Sequence, residues 1–209
     1  MLVALILTLT LAADQEQTST VWNPLKPETY CTDAKDPALC ADLLALTNRD
    51  QVVRRKWIVD RDNKVLRDEV KKVDAENLVR VEAIIKAHGW PTRQLVGIKG
   101  VGAVWTVIQH SDLDVQKRYI DMMTKAADAG ELNWALVATT IDRIRVREGK
   151  PQVYGTQFKE SSGQMVPETI EDEQHVDERR AKVGLQPLAE YQKLMEQFYE
   201  VKPVNTKKE

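Results

Sequence analysis

The sequence predicts a mainly α-helical, compact multi-helix domain with a small β-hairpin or arm near residues 151–170. Three observations lead there. Apolar residues recur every three or four positions through most of residues 36–149, which is the period of a helix with one buried face. Helix-ending and helix-starting residues cut that pattern at Asp36-Pro37, Asn63, Gly89 with Pro91, Ser111, Gly130, Asn133 and Gly149. Only the stretch PQVYGTQFKESSGQMVPETI changes texture, with Val, Tyr, Thr and Phe in short runs around Ser162-Gly163. Apolar residues make up 43% of the 209 positions and charged ones 30%, enough for a packed core.

The elements follow in order. Asp36 is an N-cap before a proline at the first helical position, and Leu39, Leu43, Leu44, Leu46, Val53 and Trp57 then recur at helical spacing. A second helix runs from about Asn63 to His88, with Leu66, Val70, Val73, Asn77, Val81, Ile84 and His88 on one face. Gly89 stops it and Pro91 prevents a restart. A third spans about Gly97 to His110, burying Val101, Val104, Trp105 and Ile108. Ser111 is expected to cap a fourth, with Asp114 as its acidic partner, and that helix buries Leu113, Ile120 and Met123 up to Gly130. Asn133 caps a fifth, carrying Trp134, Val137, Ile141 and Ile144. After the hairpin, whose second half Pro167 places at an edge, come a short helix near Val176–Val183, a break at Gly184 and a last helix from Pro187 to about Tyr199. Residues 201–209 read as a loose tail.

The N-terminus carries the localisation signal. Leu2–Ala13 is a charge-free apolar run of signal-peptide length, too short for a bilayer span, which takes about 20 residues. Thr10-Leu11-Ala12 supplies small residues for a cleavage site, although no Lys or Arg precedes the run. The alternative is a buried N-terminal element. We expect export to a periplasmic or extracellular location, residues 14–35 as an extended leader, residues 36–200 as the helical domain and no membrane span in the mature chain. Cys31 and Cys40 are the only cysteines, and an oxidising compartment would let them close a small loop. Neither has a nearby His or third Cys, which argues against a cysteine metal site. Net charge is −2 with acids and bases interleaved, so nucleic acid is excluded as a partner class.

Polar residues on apolar stripes mark candidate sites, because a buried polar group costs free energy unless it is paired. Asn77 sits inside the second helix's stripe, Asp74 borders it and His88 closes it. Each has a structural alternative: an amide bonding backbone for Asn77, a histidine favoured by the helix C-terminus for His88. Gln109, His110, Asp112 and Asp114 offer H-x-D-x-D chemistry, either divalent-metal ligands or a base with its orienting carboxylate. Helix capping is the competing account. Gly97, Gly100 and Gly102 resemble a phosphate loop, but no strand precedes them and no G-K-[ST] follows. Asp142-Arg143 reads as a surface ion pair or a site element, and Tyr154-Gly155-Thr156-Gln157 as a donor-rich bend or an idle turn.

The order V-D-A-E-N (Val73–Asn77), H-G-W-P (His88–Pro91), A-V-W (Ala103–Trp105), Q-H-S-D (Gln109–Asp112), D-R (Asp142-Arg143) and Y-G-T-Q-F (Tyr154–Phe158) resembles an uncharacterised bacterial domain-of-unknown-function family. V-D-x-R-R and G-L-x-P-L-x-E-Y, at Val176–Arg180 and Gly184–Tyr191, extend the resemblance over roughly residues 40–195. It brings no activity. It implies that these motifs belong to one domain and that the residues before Asp36 are an addition. The departure is at Ile98 and Lys99, where the family carries acidic residues, which weakens a metal role for that loop.

Two readings result. In the first, this is an exported binding or interaction domain for a small polar ligand or a protein partner, with a pocket drawn from Asp74, Asn77, His88, Trp90, Gln109, Asp142, Arg143, Tyr154 and Gln157. In the second, it is a hydrolase, metal- or His/Asp-dependent, with His110 as base or ligand and Asp112 orienting it. Metal and cofactor identity stay open. A purely structural helical partner-binding protein is a third class.

Overall fold

The computed structural model describes residues 23–161 and 164–200. The expected signal peptide and C-terminal tail lie outside them. The described chain is mainly α, with eight helices and one two-stranded antiparallel sheet. It divides after Asn133 into two compact units.

The N-terminal unit contains α1 (Pro27–Tyr30), α2 (Pro37–Val59), α3 (Lys64–His88), α4 (Arg93–His110) and α5 (Leu113–Asp128). Helix α2 packs against both α3 and α4. Asp36 caps it as expected, its carboxylate accepting the Leu39 N–H at 2.9 Å. Asn63 caps α3 by accepting from Val65 and Leu66, and Gly89, at φ 69°, ends it. The α2 side chains Leu43 and Leu44 are fully buried, as are Val81 on α3 and Val104 and Ile108 on α4. These are the stripes that the periodicity marked.

Three local features differ from the sequence reading. The leader is not extended throughout: Pro27–Tyr30 makes one helical turn. It is fastened down at several points. Cys31 and Cys40 form a disulfide, and Leu25 exchanges reciprocal hydrogen bonds with the Asn48 amide at 2.7 and 2.8 Å. The Lys35 and Asp36 N–H groups donate to the Gln94 and Leu95 carbonyls. Second, α4 begins at Arg93, where Thr92 accepts the Leu95 N–H at 3.1 Å, and then kinks at Gly97 (φ 70°), the residue at which the glycine pattern placed its start. A Cβ on Gly97 would lie 3.0 Å from the Tyr30 carbonyl oxygen, so glycine lets α1 approach. Third, Ser111 does not cap α5. It ends α4, its hydroxyl donating back to the Val107 carbonyl at 2.8 Å, and Asp112 takes the N-cap position of α5 without a side-chain bond.

The disulfide joins residues nine positions apart and ties α1 to α2. Loop-closure entropy predicts that Cys31→Ser with Cys40→Ser lowers stability by about 2–3 kcal/mol. Urea melts with and without reductant will show the same loss in the parent chain and no reductant effect in the double variant.

The C-terminal unit runs from α6 (Trp134–Arg147) through β1 (Phe158–Ser161), β2 (Gln164–Pro167), a 3-10 turn (Glu173–His175), α7 (Val176–Lys182) and α8 (Leu188–Glu200). The strands pair antiparallel, Phe158 opposite Pro167 and Ser161 opposite Gln164, which places the hairpin where the composition shift put it. Phe158, Met165, Val176, Leu188, Tyr191 and Met195 form its core, with Phe158 meeting Tyr191 edge-on at 5.5 Å.

Candidate functional site

In the N-terminal unit, polar side chains from α2, α3 and α4 meet in one buried network. The His110 Nδ1 lies 2.7 Å from Asp50 Oδ1, with both side chains almost wholly buried. Arg54, one turn after Asp50, donates Nε and Nη2 to the same oxygen at 3.2 and 2.9 Å. Its Nη2 also reaches Asp74 Oδ1 at 2.5 Å, and Gln51 Nε2 donates to Asp50 Oδ2 at 2.8 Å. One guanidinium therefore serves two carboxylates.

The electrostatics follow from this sharing. Burial alone would raise the Asp50 carboxyl, but the charges and hydrogen bonds of His110 and Arg54 outweigh it and hold Asp50 well below the usual carboxylate range. Burial pushes Asp74 up to about 6; Arg54 opposes the shift and the neighbouring Asp50 charge adds to it. Burial works against the charge on Arg54, yet the two carboxylates raise its pKa above the ordinary value.

Two further buried amides in this unit carry an oxygen without a donor. Asn77, on α3 one turn from Asp74, donates Nδ2 to the Leu46 carbonyl at 3.1 Å; its Oδ1 accepts no hydrogen bond. Gln116 donates Nε2 to the Gln109 and Ser111 carbonyls at 2.7 and 3.2 Å, and its Oε1 likewise accepts none. Among the described residues, Asp50, Asp74 and His110 are a group able to hold a metal ion: each brings a ligand atom within 4.8 Å of the others.

The expected partner of His110 is thus replaced. Asp112 is exposed at the N-cap of α5, and the carboxylate at the imidazole is Asp50, from a helix sixty residues away in sequence. His88 is exposed in the last turn of α3. Trp90 is buried, with its indole N–H making no hydrogen bond. Gln109 is fully buried. Asp50, Gln51 and Arg54 were missed, although the signal was present. Steps of three and four from Leu43 through Thr47 to Asp50, Arg54 and Trp57 put both charges on the apolar stripe.

The other motif residues gather in the C-terminal unit, around Asp142. Asp142 and Arg143 are buried rather than a surface pair. Asp142 Oδ1 accepts the Val153 and Tyr154 N–H groups at 2.7 and 3.0 Å; Oδ2 accepts the Thr156 N–H and hydroxyl, both at 2.9 Å. Burial raises its pKa, and these donors pull the other way. Gln157 accepts from Arg143 Nε at 3.3 Å, while Gln152 clamps the Gln157 backbone at both N–H and carbonyl. Arg180, fully buried, donates to the Tyr154 and Gly155 carbonyls from the other side and faces the Tyr191 ring. The Y-G-T-Q bend is a loop folded onto a buried carboxylate, while Arg180 Nη2, buried behind it, makes no hydrogen bond.

No described helix is long and apolar enough to cross a membrane. No curated protein and no solved structure matches the chain. One family model does, over residues 37–204, and it takes in every element from α2 onward together with both polar clusters. The chain belongs to that family, a family of unknown function designated DUF6624.

Proposed function

We propose that the chain is an exported domain that binds a small, donor-rich polar ligand at the Asp50–Arg54–Asp74–His110 network. The observation that carries this reading is an excess of acceptors. Asp50 accepts from Arg54, His110 and Gln51, but Asp74 draws only on the guanidinium that Asp50 already uses, and the buried oxygens of Asn77 and Gln116 accept nothing from the protein. Unsatisfied buried acceptors cost about 1–3 kcal/mol each, and a ligand bearing N–H groups or positive charge offsets that cost. Export is supported by the disulfide, which persists in oxidising compartments.

Thermal melting against organic amines such as putrescine, spermidine and arginine tests the reading. A ligand at about 100 times its Kd stabilises the folded state by about 2.7 kcal/mol. At least one amine should raise the melting temperature of the parent chain by several degrees and leave Asp74→Asn unmoved. Equal shifts in both proteins would place binding elsewhere.

The hydrolase reading keeps one specific support, the Asp50–His110 contact, in which a carboxylate orients an imidazole as it does for a general base. In that reading Asp50 takes the role first given to Asp112. Turnover of ester, phosphate or peptide substrates that His110→Gln abolishes would establish it.

A further inference from the structure

We propose that Asp50, Asp74 and His110 form a site for a divalent metal ion of the zinc or manganese type. The inference goes beyond the binding reading: it puts a metal cation where that reading puts a donor-rich organic ligand. Three potential ligands come from three helices, with their ligand atoms within 4.8 Å of one another. Two carboxylate oxygens and an imidazole nitrogen are a mixed N/O set, which suits borderline first-row cations.

Asn77 supplies an independent pointer. It is 1% exposed, and its Nδ2 is committed to the Leu46 carbonyl. That bond fixes the amide orientation and leaves Oδ1 as the acceptor that nothing satisfies. On α3 it stands one turn from Asp74, and the Leu46 carbonyl that holds its amide lies one turn before Asp50 on α2, so its unsatisfied oxygen belongs to the same layer between α2 and α3 as the two carboxylates.

Arg54 is the resident counter-charge. Its guanidinium bridges Asp50 and Asp74, and its side chain retains 13% exposure, a route toward solvent. Entry of a dication replaces one positive charge by two across the pair of carboxylates. Arg54 therefore competes with the metal, and this sets the proposal apart from a purely structural ion-pair network.

Titration calorimetry of the metal-free full chain with zinc chloride, repeated with manganese chloride, tests it. One ion per chain is expected. Asp74→Asn and His110→Gln should each weaken binding about tenfold or more. Arg54→Gln should tighten it about tenfold, the reverse of what loss of a structural arginine predicts. His175→Gln, which alters an exposed histidine paired with Asp172, should change nothing. Absence of stoichiometric uptake in both the parent chain and Arg54→Gln overturns the proposal. So does binding that Asp74→Asn and His110→Gln leave intact. Should Arg54→Gln fail to fold, the parent chain with the Asp74 and His110 variants decides alone. An amine that stabilises the parent chain while zinc and manganese do not bind would sink the metal site and keep the binding reading.

Discussion

Asp50→Ala will destabilise the N-terminal unit by about 3–5 kcal/mol, the cost of breaking a buried charge pair by deleting one partner. Asp50 is 1% exposed and accepts from three residues at once. Without it Arg54 keeps a positive charge in a largely buried position, with Asp74 as its remaining carboxylate. Gln51 loses the acceptor for its amide, and the imidazole of His110 loses the group that fixes its orientation. Urea denaturation followed by far-UV circular dichroism will report the loss. Asp42→Ala serves as the contrast. Its ion pair with Arg80 is half exposed, and exposed pairs contribute about 0–1 kcal/mol. Similar losses in the two variants would mean that the network is no more than a set of ordinary ion pairs.

Asp142→Ala will unfold the Y-G-T-Q bend and cost on the order of 4 kcal/mol or more. The carboxylate is fully buried and satisfies three backbone N–H groups and one hydroxyl. Each buried donor left without an acceptor costs about 1–3 kcal/mol. Asp142→Asn rescues little, because its amide turns a donor toward a row of donors. Amide hydrogen exchange localises the effect. Val153, Tyr154 and Thr156 should lose their protection in both variants, while α3 amides in the other unit keep theirs. Unchanged exchange at those three residues would refute the role of Asp142 as the organiser of the loop. A ligand role for the bend would predict instead a folded variant that has lost binding alone.

The elements were legible because each depends on residues near in sequence. The Asp36-Pro37 start, the Asn63 cap and the Gly89 stop are local chemistry, and the structure realises them. Ser111 and Asp112 show the limit of that approach. Two adjacent residues both suit the cap position, and the Ser111 hydroxyl bonds backward into α4, so Asp112 takes the place.

The site was half legible. Asn77 stands out as a polar residue on an apolar stripe and His110 by its H-x-D-x-D spacing, and the structure buries both side chains at the α2–α4 packing. The stripe criterion applied to α2 marks Asp50 and Arg54. Asp112 drew attention instead by lying two positions from His110. A helix end intervenes there, and adjacency in sequence is not adjacency in space.

The sequence alone determined the helices from α2 onward, the hairpin between residues 151 and 170 and the inward place of Asn77, because these depend on periodicity, capping and burial. Only the tertiary structure decided the partners of the buried polar groups: Asp50 for His110, Arg54 for two carboxylates, and the 153–156 backbone for Asp142. The reason is physical. A one-dimensional pattern tells a side chain that it must be buried. Which group then satisfies it depends on the crossing of helices tens of residues apart, and a local pattern leaves that undetermined.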